Sequence, residues 1–111
     1  MVKLVSLPRV KQALRVDTND DDMLIDGYIE AASAAVINYL KGAADVLIPR
    51  GEDGELQEGV EVPAPIDVAT IMLVGQFYRE PDGNEEKDFE RGYLPKPVTA
   101  LLYPLRDPAL A

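Results

Sequence analysis

The 111-residue chain contains no cysteine and no histidine. The absence of cysteine excludes disulfides, thiol catalysis and thiolate sites for zinc or iron–sulfur clusters. The absence of histidine removes the commonest general base and the commonest transition-metal ligand. Any catalysis would have to depend on carboxylates, lysine, tyrosine or hydroxyl groups, so the composition disfavours an enzyme from the outset.

Long apolar runs are also missing. No segment approaches the roughly 20 apolar residues that a membrane-spanning helix needs. The first residues lack the long apolar run and the small-residue cleavage site of a signal peptide. Hydrophobic residues make up 47% of the chain and charged residues 28%, which is typical of a soluble globular protein. We expect a single domain over residues 1–111, resident in the cytoplasm.

The net charge of −9 is unevenly placed along the chain. Acids dominate three blocks, 17–30, 45–61 and 80–90. The first fifteen residues carry no acid, and their basic residues are Lys3, Arg9, Lys11 and Arg15. This balance disfavours binding of nucleic acid by charge attraction. An acidic surface could instead keep the protein soluble, repel DNA or mimic it.

The densest acidic cluster, at residues 17–22, raises the question of a metal site. Asp17, Asn19 and Asp21 have the spacing of the first three ligands of an EF-hand calcium loop. That loop also needs a glycine at its sixth position and a glutamate at its twelfth. Those positions are held by Asp22 and Tyr28, so the motif is incomplete and we predict no metal site.

The same cluster stands where a long amphipathic helix is expected to begin. Acids at a helix N-terminus cap free N–H groups and complement the helix dipole. Lys41 and Gly42 are typical of a helix end. The cluster is therefore predicted to start the second helix, whose apolar stripe is Ile25, Tyr28, Ile29, Ala32, Val36, Tyr39 and Leu40.

Three further helices are expected. Ser6 and Pro8 predict a first helix that ends near Leu14. A third helix follows the prolines at 63–65, and its uncharged run at 68–78 predicts a position in the core or beneath another subunit. Gly75 within it predicts a close backbone contact. A fourth helix begins near Pro97, and Pro104 should end or kink it.

Between the second and third helices, residues 43–63 have a different character. Short apolar arms at 46–48 and 60–62 surround an acidic stretch with Asp53-Gly54, a hairpin-turn signal. The acids at 80–90 are expected in a solvated loop, and residues 104–111 form a tail. The predicted fold is all-α: a small bundle of about four helices with one β-hairpin or long loop between the second and third helices.

Three segments occur in an order that resembles a known family. They are "ALRVDTNDDDMLIDGYIEAASAAVINYLKG" at 13–42, "PAPIDVATIMLVGQFYRE" at 63–80 and "YLPKPVTALLYPLRDP" at 93–108. Their order is similar to that of the small head–tail connector (adaptor) proteins of tailed bacteriophages and prophages. The stretch at 43–62 departs from the pattern because it is longer and more acidic.

The resemblance implies a structural protein of the virion neck, assembled in the bacterial host. Such subunits form a homo-oligomeric ring of about 12–13 copies beneath the portal. The ring extends the DNA channel, without specific DNA binding, and offers a platform to the next neck or tail-completion protein. The resemblance implies no cofactor, no reaction and no membrane partner.

The apolar residues least needed by a four-helix core are the candidates for subunit–subunit or portal contacts. They are Val46, Leu47, Ile48, Val60, Val62, Tyr103, Leu105 and Leu110. The alternative is that the arm packs on its own domain and the tail is disordered. Two other functions also stay open: an acidic DNA-mimic inhibitor, which the charge alone suggests, and a carboxylate-dependent metal enzyme built on residues 17–22 with the acids of the later loops.

Overall fold

The computed structural model describes residues 2–79 and 94–106 of the chain. These residues form α-helices joined by loops, with no β-strand in the described ranges. The last helix runs directly into a short 3-10 helix, Tyr103–Leu105. The α-helices are α1 (Leu7–Leu14), α2 (Asp22–Leu40), α3 (Ala43–Leu47), α4 (Ala64–Arg79) and α5 (Lys96–Leu102).

Helix α1 has the predicted start and end. The Ser6 hydroxyl accepts a hydrogen bond from the backbone N–H of Arg9 at 3.3 Å, and a proline lies in the first turn. At the other end Arg15 has a φ of 60°. Its N–H donates to the Gln12 carbonyl, and the Val16 N–H donates to the Lys11 carbonyl. This pair of bonds is a Schellman motif, which satisfies carbonyls that the helix would leave free.

Helix α2 confirms the predicted helix start, but its acids contact other helices. Asp21 at the N-cap makes no side-chain capping hydrogen bond. Its carboxylate instead accepts a 2.7 Å hydrogen bond from the Tyr78 hydroxyl of α4. Asp22 in the first turn forms an ion pair with Lys11 of α1 at 2.7 Å. Both acids therefore hold neighbouring helices against the N-terminal end of α2.

The predicted stripe of α2 is its core-facing side. Ile25, Ile29, Ala32, Val36 and Leu40 are fully buried. The two tyrosines of the stripe are half-buried. The small residue Ser33 is also fully buried, and its hydroxyl accepts a 2.9 Å hydrogen bond from the backbone N–H of Leu4. The N-terminal segment is thereby fixed along α2.

Helix α4 is the central helix that its uncharged run predicted. It packs against α1, α2 and α5. The Arg9–Asp67 bond and the close approach of Leu14 to Gly75 show that α4 runs parallel to α1, and the Tyr78–Asp21 bond places its C-terminal end at the start of α2. Its buried residues are Ile66, Ala69, Thr70, Leu73, Val74 and Gly75.

The predicted β-hairpin is wrong in its arms. The first arm, 46–48, belongs to α3, and the Ile48 N–H donates to the Ala44 carbonyl as in a helix. The helical turn buries Ala44 and Ile48 and leaves Val46 80% exposed, whereas an extended arm would place Val46 on the same face as Ile48. Residues 48–63 form a long loop. The sole β-type pairing described in this loop is an isolated antiparallel bridge between Arg50 and Leu56.

The predicted turn lies inside that loop. Gly54 has a φ of 82°, a backbone conformation that glycine adopts without a steric penalty. The Gly51 N–H donates to the Glu55 carbonyl at 2.8 Å and closes the turn. The acidic middle of the segment is therefore ordered by local hydrogen bonds and not by a strand ladder.

The prolines of the C-terminal part lie at the start and just beyond the end of α5, as predicted. Helix α5 has a proline in its first turn, and its Val98 and Leu102 are buried. Pro104 falls within the 3-10 helix, as expected where proline removes a helical hydrogen bond. The guanidinium carbon of Arg106 then lies 5.0 Å from the centre of the Tyr39 ring. The C-terminal 3-10 helix is thus placed at the C-terminal end of α2.

Candidate interaction surfaces

An open groove lies where α3 meets the C-terminal 3-10 helix. It has a volume of about 450 Å³. We call it the α3 groove, and its lining residues are Gly42, Ala43, Val46, Leu47, Pro104, Leu105 and Arg106. The groove is apolar because a five-residue helix can bury only one side, and α3 turns Ala44 inward and leaves Val46 outside.

Large apolar side chains are exposed at and beside this groove. Val46 is 80% exposed, and Tyr103, next to the lining residue Pro104, is 56% exposed. Single exposed apolar residues are ordinary on a protein surface, whereas a contiguous apolar surface marks an interaction site. The α3 groove combines apolar residues from two distant parts of the chain, so it is the first candidate for a protein contact.

Arg106 supplies a positive charge to the otherwise apolar groove. Its side chain is half-buried, and its guanidinium is stacked over Tyr39. The Nε atom is shielded from solvent and has no hydrogen-bond partner in the parts of the chain that the structure describes. A guanidinium binds carboxylates through several N–H donors at once. The groove therefore suits a ligand that has an apolar side chain beside an acidic group.

A second apolar surface lies at the start of α2. Met23 is 91% exposed and Leu24 is 49% exposed. Met23 lies two residues before Ile25, which places it roughly 160° around the helix from the core stripe. Neither residue was among the predicted contacts, although their position off the apolar stripe of α2 was a usable signal.

The acids at the start of α2 are engaged in contacts with neighbouring helices. Asp21 and Asp22 are engaged with Tyr78 and Lys11. Within residues 2–79 and 94–106, no group of three or more carboxylates is placed to hold a metal ion. Over the same ranges, no helix is long and apolar enough to cross a membrane.

The comparison with protein families decides the class. The model of the family "Phage gp6-like head-tail connector protein" matches residues 5–106. The chain belongs to this family. Comparison with curated proteins and with solved structures gives no match. The matched range also includes the long acidic stretch at 43–62, so the departure noted there does not separate this chain from the connectors.

Membership gives this connector its general role and place. It is a structural connector protein of a bacteriophage virion, associated with portal and tail proteins. Head–tail connectors are a structural family, and no reaction is attached to them. The match over residues 5–106 confirms the resemblance drawn from the order of the three sequence segments.

The contact residues predicted for this connector differ in their exposure. Val46, Leu47 and Leu105 line the α3 groove, and Tyr103 lies beside it. Ile48 is fully buried, so its side chain belongs to the core and not to an exposed surface. Val60 and Val62 are half-buried in the loop before α4, and Leu110 lies outside the described residues. Contact with a subunit or portal stays a prediction for the exposed members.

Three of the four basic residues at the start of this connector are paired within the chain. Lys3 contacts Asp26 at 2.8 Å, and Arg9 binds the Asp67 carboxylate through two nitrogens. The hydrogen bond that Lys3 donates to Asp26 raises the pKa of Lys3, and those that Arg9 donates to Asp67 raise the pKa of Arg9. With Lys11 paired to Asp22 as well, the N-terminal charges hold helices together, which leaves them less suited to pairing with a neighbouring subunit.

Proposed function

We propose that this connector is a subunit of a homo-oligomeric ring adaptor between the portal and the next neck or tail component. The ring comprises about 12–13 copies, arranged with cyclic symmetry, and it extends the channel through which DNA passes. Family membership over residues 5–106 carries the proposal. Assembly takes place in the bacterial host cytoplasm.

The distribution of exposed apolar residues supports an assembled state. A single copy leaves Val46 and Met23 almost entirely in water. These residues lie in different surfaces, since Val46 follows α2 and Met23 is in its first turn. Contacts between two different surfaces of identical chains are heterologous and produce closed rings when the rotation between copies closes. The two surfaces thus support a ring better than a symmetric dimer.

The charge supports passage of DNA without binding. The chain carries a net charge of −9, and Lys3, Arg9 and Lys11 are already paired with acids of the same chain. DNA carries a dense negative charge, and proteins that bind it rely on basic residues to neutralise phosphates. An acidic ring would repel the DNA backbone and let it slide through.

Light scattering after size exclusion, across a concentration series with and without purified portal protein, tests the proposal. A discrete species of about 12–13 chains, alone or on the portal, is the expected result. A protein that stays monomeric at every concentration and does not bind the portal would contradict it. In that case the DNA-mimic function should be tested by inhibition of DNA-binding enzymes.

A further inference from the structure

We propose that the α3 groove of one copy receives the Met23 side chain of a second copy. This inference rests on the proposed ring, and it names the two surfaces that meet between neighbouring subunits. The contact is apolar at its centre and is flanked by opposite charges.

The central contact pairs a flexible projecting side chain with a shallow apolar groove. Met23 is the most exposed of the large hydrophobic residues described, at 91%. Methionine is unbranched and adapts its shape to irregular apolar surfaces. Val46, Leu47 and Leu105 offer such a surface in the groove. Burial of the two surfaces against each other removes apolar area from water on both sides.

The charges around the two surfaces are complementary. Asp20 is exposed three residues before Met23 and has no ion pair among the described residues. At the groove, Arg106 has a shielded Nε atom with no described hydrogen-bond partner. Lys41, exposed directly before the lining residue Gly42, adds a second positive charge. Opposite charges of this kind orient partners and fix which surfaces meet.

One copy cannot make this contact with itself. Met23 lies in the first turn of α2, and the groove lies beyond the last turn. Between Met23 and Leu40 the helix rises roughly 26 Å, at about 1.5 Å per residue. The projecting side chain and its groove are therefore at opposite ends of the helix, and repetition of the contact from copy to copy builds a ring or a filament.

The absence of cysteine makes a direct test possible. Met23→Cys and Val46→Cys place the only thiols of the chain on the two surfaces. A disulfide requires Cα atoms within about 7 Å, so a bridge between these positions has to join two copies. The two single variants are mixed, oxidised with copper–phenanthroline and separated on a non-reducing gel. We expect a crosslinked dimer from the mixture, and a ladder of larger covalent multimers from the double variant.

Val68→Cys is the matched control. Val68 is also an exposed apolar residue, at 42%, but it lies in α4 and is part of neither surface. A mixture of Met23→Cys and Val68→Cys should give no specific crosslink. A crosslink of Met23→Cys with itself, in place of Val46→Cys, would show a symmetric contact and overturn the inference.

A charged variant gives an independent readout. Met23→Glu should keep the fold because the side chain is exposed, and circular dichroism verifies this. The concentration needed for assembly should rise by about tenfold or more, as for the loss of a central interface residue. Unchanged assembly of Met23→Glu would overturn the inference.

The outcomes separate this inference from the proposed function. A ring that forms without the Met23–Val46 crosslink overturns the inference and leaves the ring adaptor intact. The same holds if portal protein alone shields Val46→Cys from a thiol-reactive reagent, because the portal then occupies the groove. Absence of any assembly, alone or with the portal, contradicts both proposals.

Discussion

The Leu14 side chain of α1 lies directly against the backbone of Gly75 in α4. A Cβ atom added at Gly75 would be 3.0 Å from Leu14 Cδ2, closer than ordinary van der Waals contact. Glycine is unfavourable within a helix by about 1 kcal/mol relative to alanine. At this position it permits the close approach of the short first helix to the central one. The contact was predicted from the glycine alone, and the structure identifies Leu14 as its partner.

Replacement of Gly75 by leucine should destabilise the fold by about 1–3 kcal/mol, the usual cost of overpacking a core. The new side chain would meet Leu14 and the guanidinium of Arg79. Urea unfolding of the monomer, followed by circular dichroism, measures the change. Leu14→Ala combined with Gly75→Leu should recover part of the loss, because it removes the atom that the new side chain meets.

Gly27→Ala is the control for helix propensity. Gly27 lies within α2, and a Cβ there would meet nothing within 4 Å. This substitution should stabilise the protein by about 0.5–1 kcal/mol. If Gly75→Leu were as stable as the wild type, the close packing of α1 against α4 would be refuted.

The buried hydrogen bond between the Leu4 N–H and the Ser33 hydroxyl should also contribute to stability. Ser33→Ala leaves the backbone N–H without its partner in a buried position, at an expected cost of about 1–3 kcal/mol. Thr99→Ala removes a hydroxyl whose hydrogen bond is exposed, so its effect should be small. Chemical denaturation of the two variants side by side checks the difference.

Helix starts and ends were predictable because they depend on local chemistry. Ser6 with Pro8, and the acids before Ile25, mark helix starts wherever they occur. The β-hairpin was wrong because three residues, 46–48, cannot distinguish a strand from a helical turn. That distinction depends on the burial of Ala44 and Ile48 in the core, which is a tertiary effect.

The candidate surface was predictable only in part. Val46 and Leu105 were selected because a four-helix core did not need them, but their proximity depends on how the chain returns to the end of α2. The partners in ion pairs were harder to predict. Lys11 and Asp22 stand far enough apart in sequence that no local rule pairs them, and the packing of α1 on α2 brings them to 2.7 Å.

Tyr78, whose hydrogen bond joins α4 to α2, should lose its proton at a higher pH than is usual for tyrosine. The hydrogen bond to Asp21, then burial and the negative charge of Asp21, raise the pKa of Tyr78 above its usual value of 10.0. The chain has five tyrosines, so absorbance at the tyrosinate wavelength should show a component that rises above the main transition. Tyr78→Phe should remove that late component. Tyr103→Phe, at an exposed position, should leave it in place.

The same pKa shift predicts the direction of alkaline destabilisation. The folded state holds the Tyr78 proton more tightly than the unfolded state, so this contribution to stability is complete below about pH 10. It is lost as the pH rises through the raised pKa of the folded state. Thermal unfolding of wild type and Tyr78→Phe between neutral pH and pH 11 should show a smaller alkaline decrease for the variant. An equal decrease would contradict the contact with Asp21.

Substitutions at residues 46 and 48 should have different effects, on assembly at residue 46 and on stability at residue 48. Ile48 is fully buried, whereas Val46 is 80% exposed. Ile48→Ala should therefore destabilise the monomer by about 2–5 kcal/mol, the usual cost of truncating a large core residue. Val46→Glu should leave the unfolding midpoint nearly unchanged, since its side chain stays in water, and should impair ring formation or portal binding in light scattering. If Val46→Glu assembled as the wild type does, the α3 groove would not be a contact surface of the ring, and the loop at 48–63 would be the next candidate.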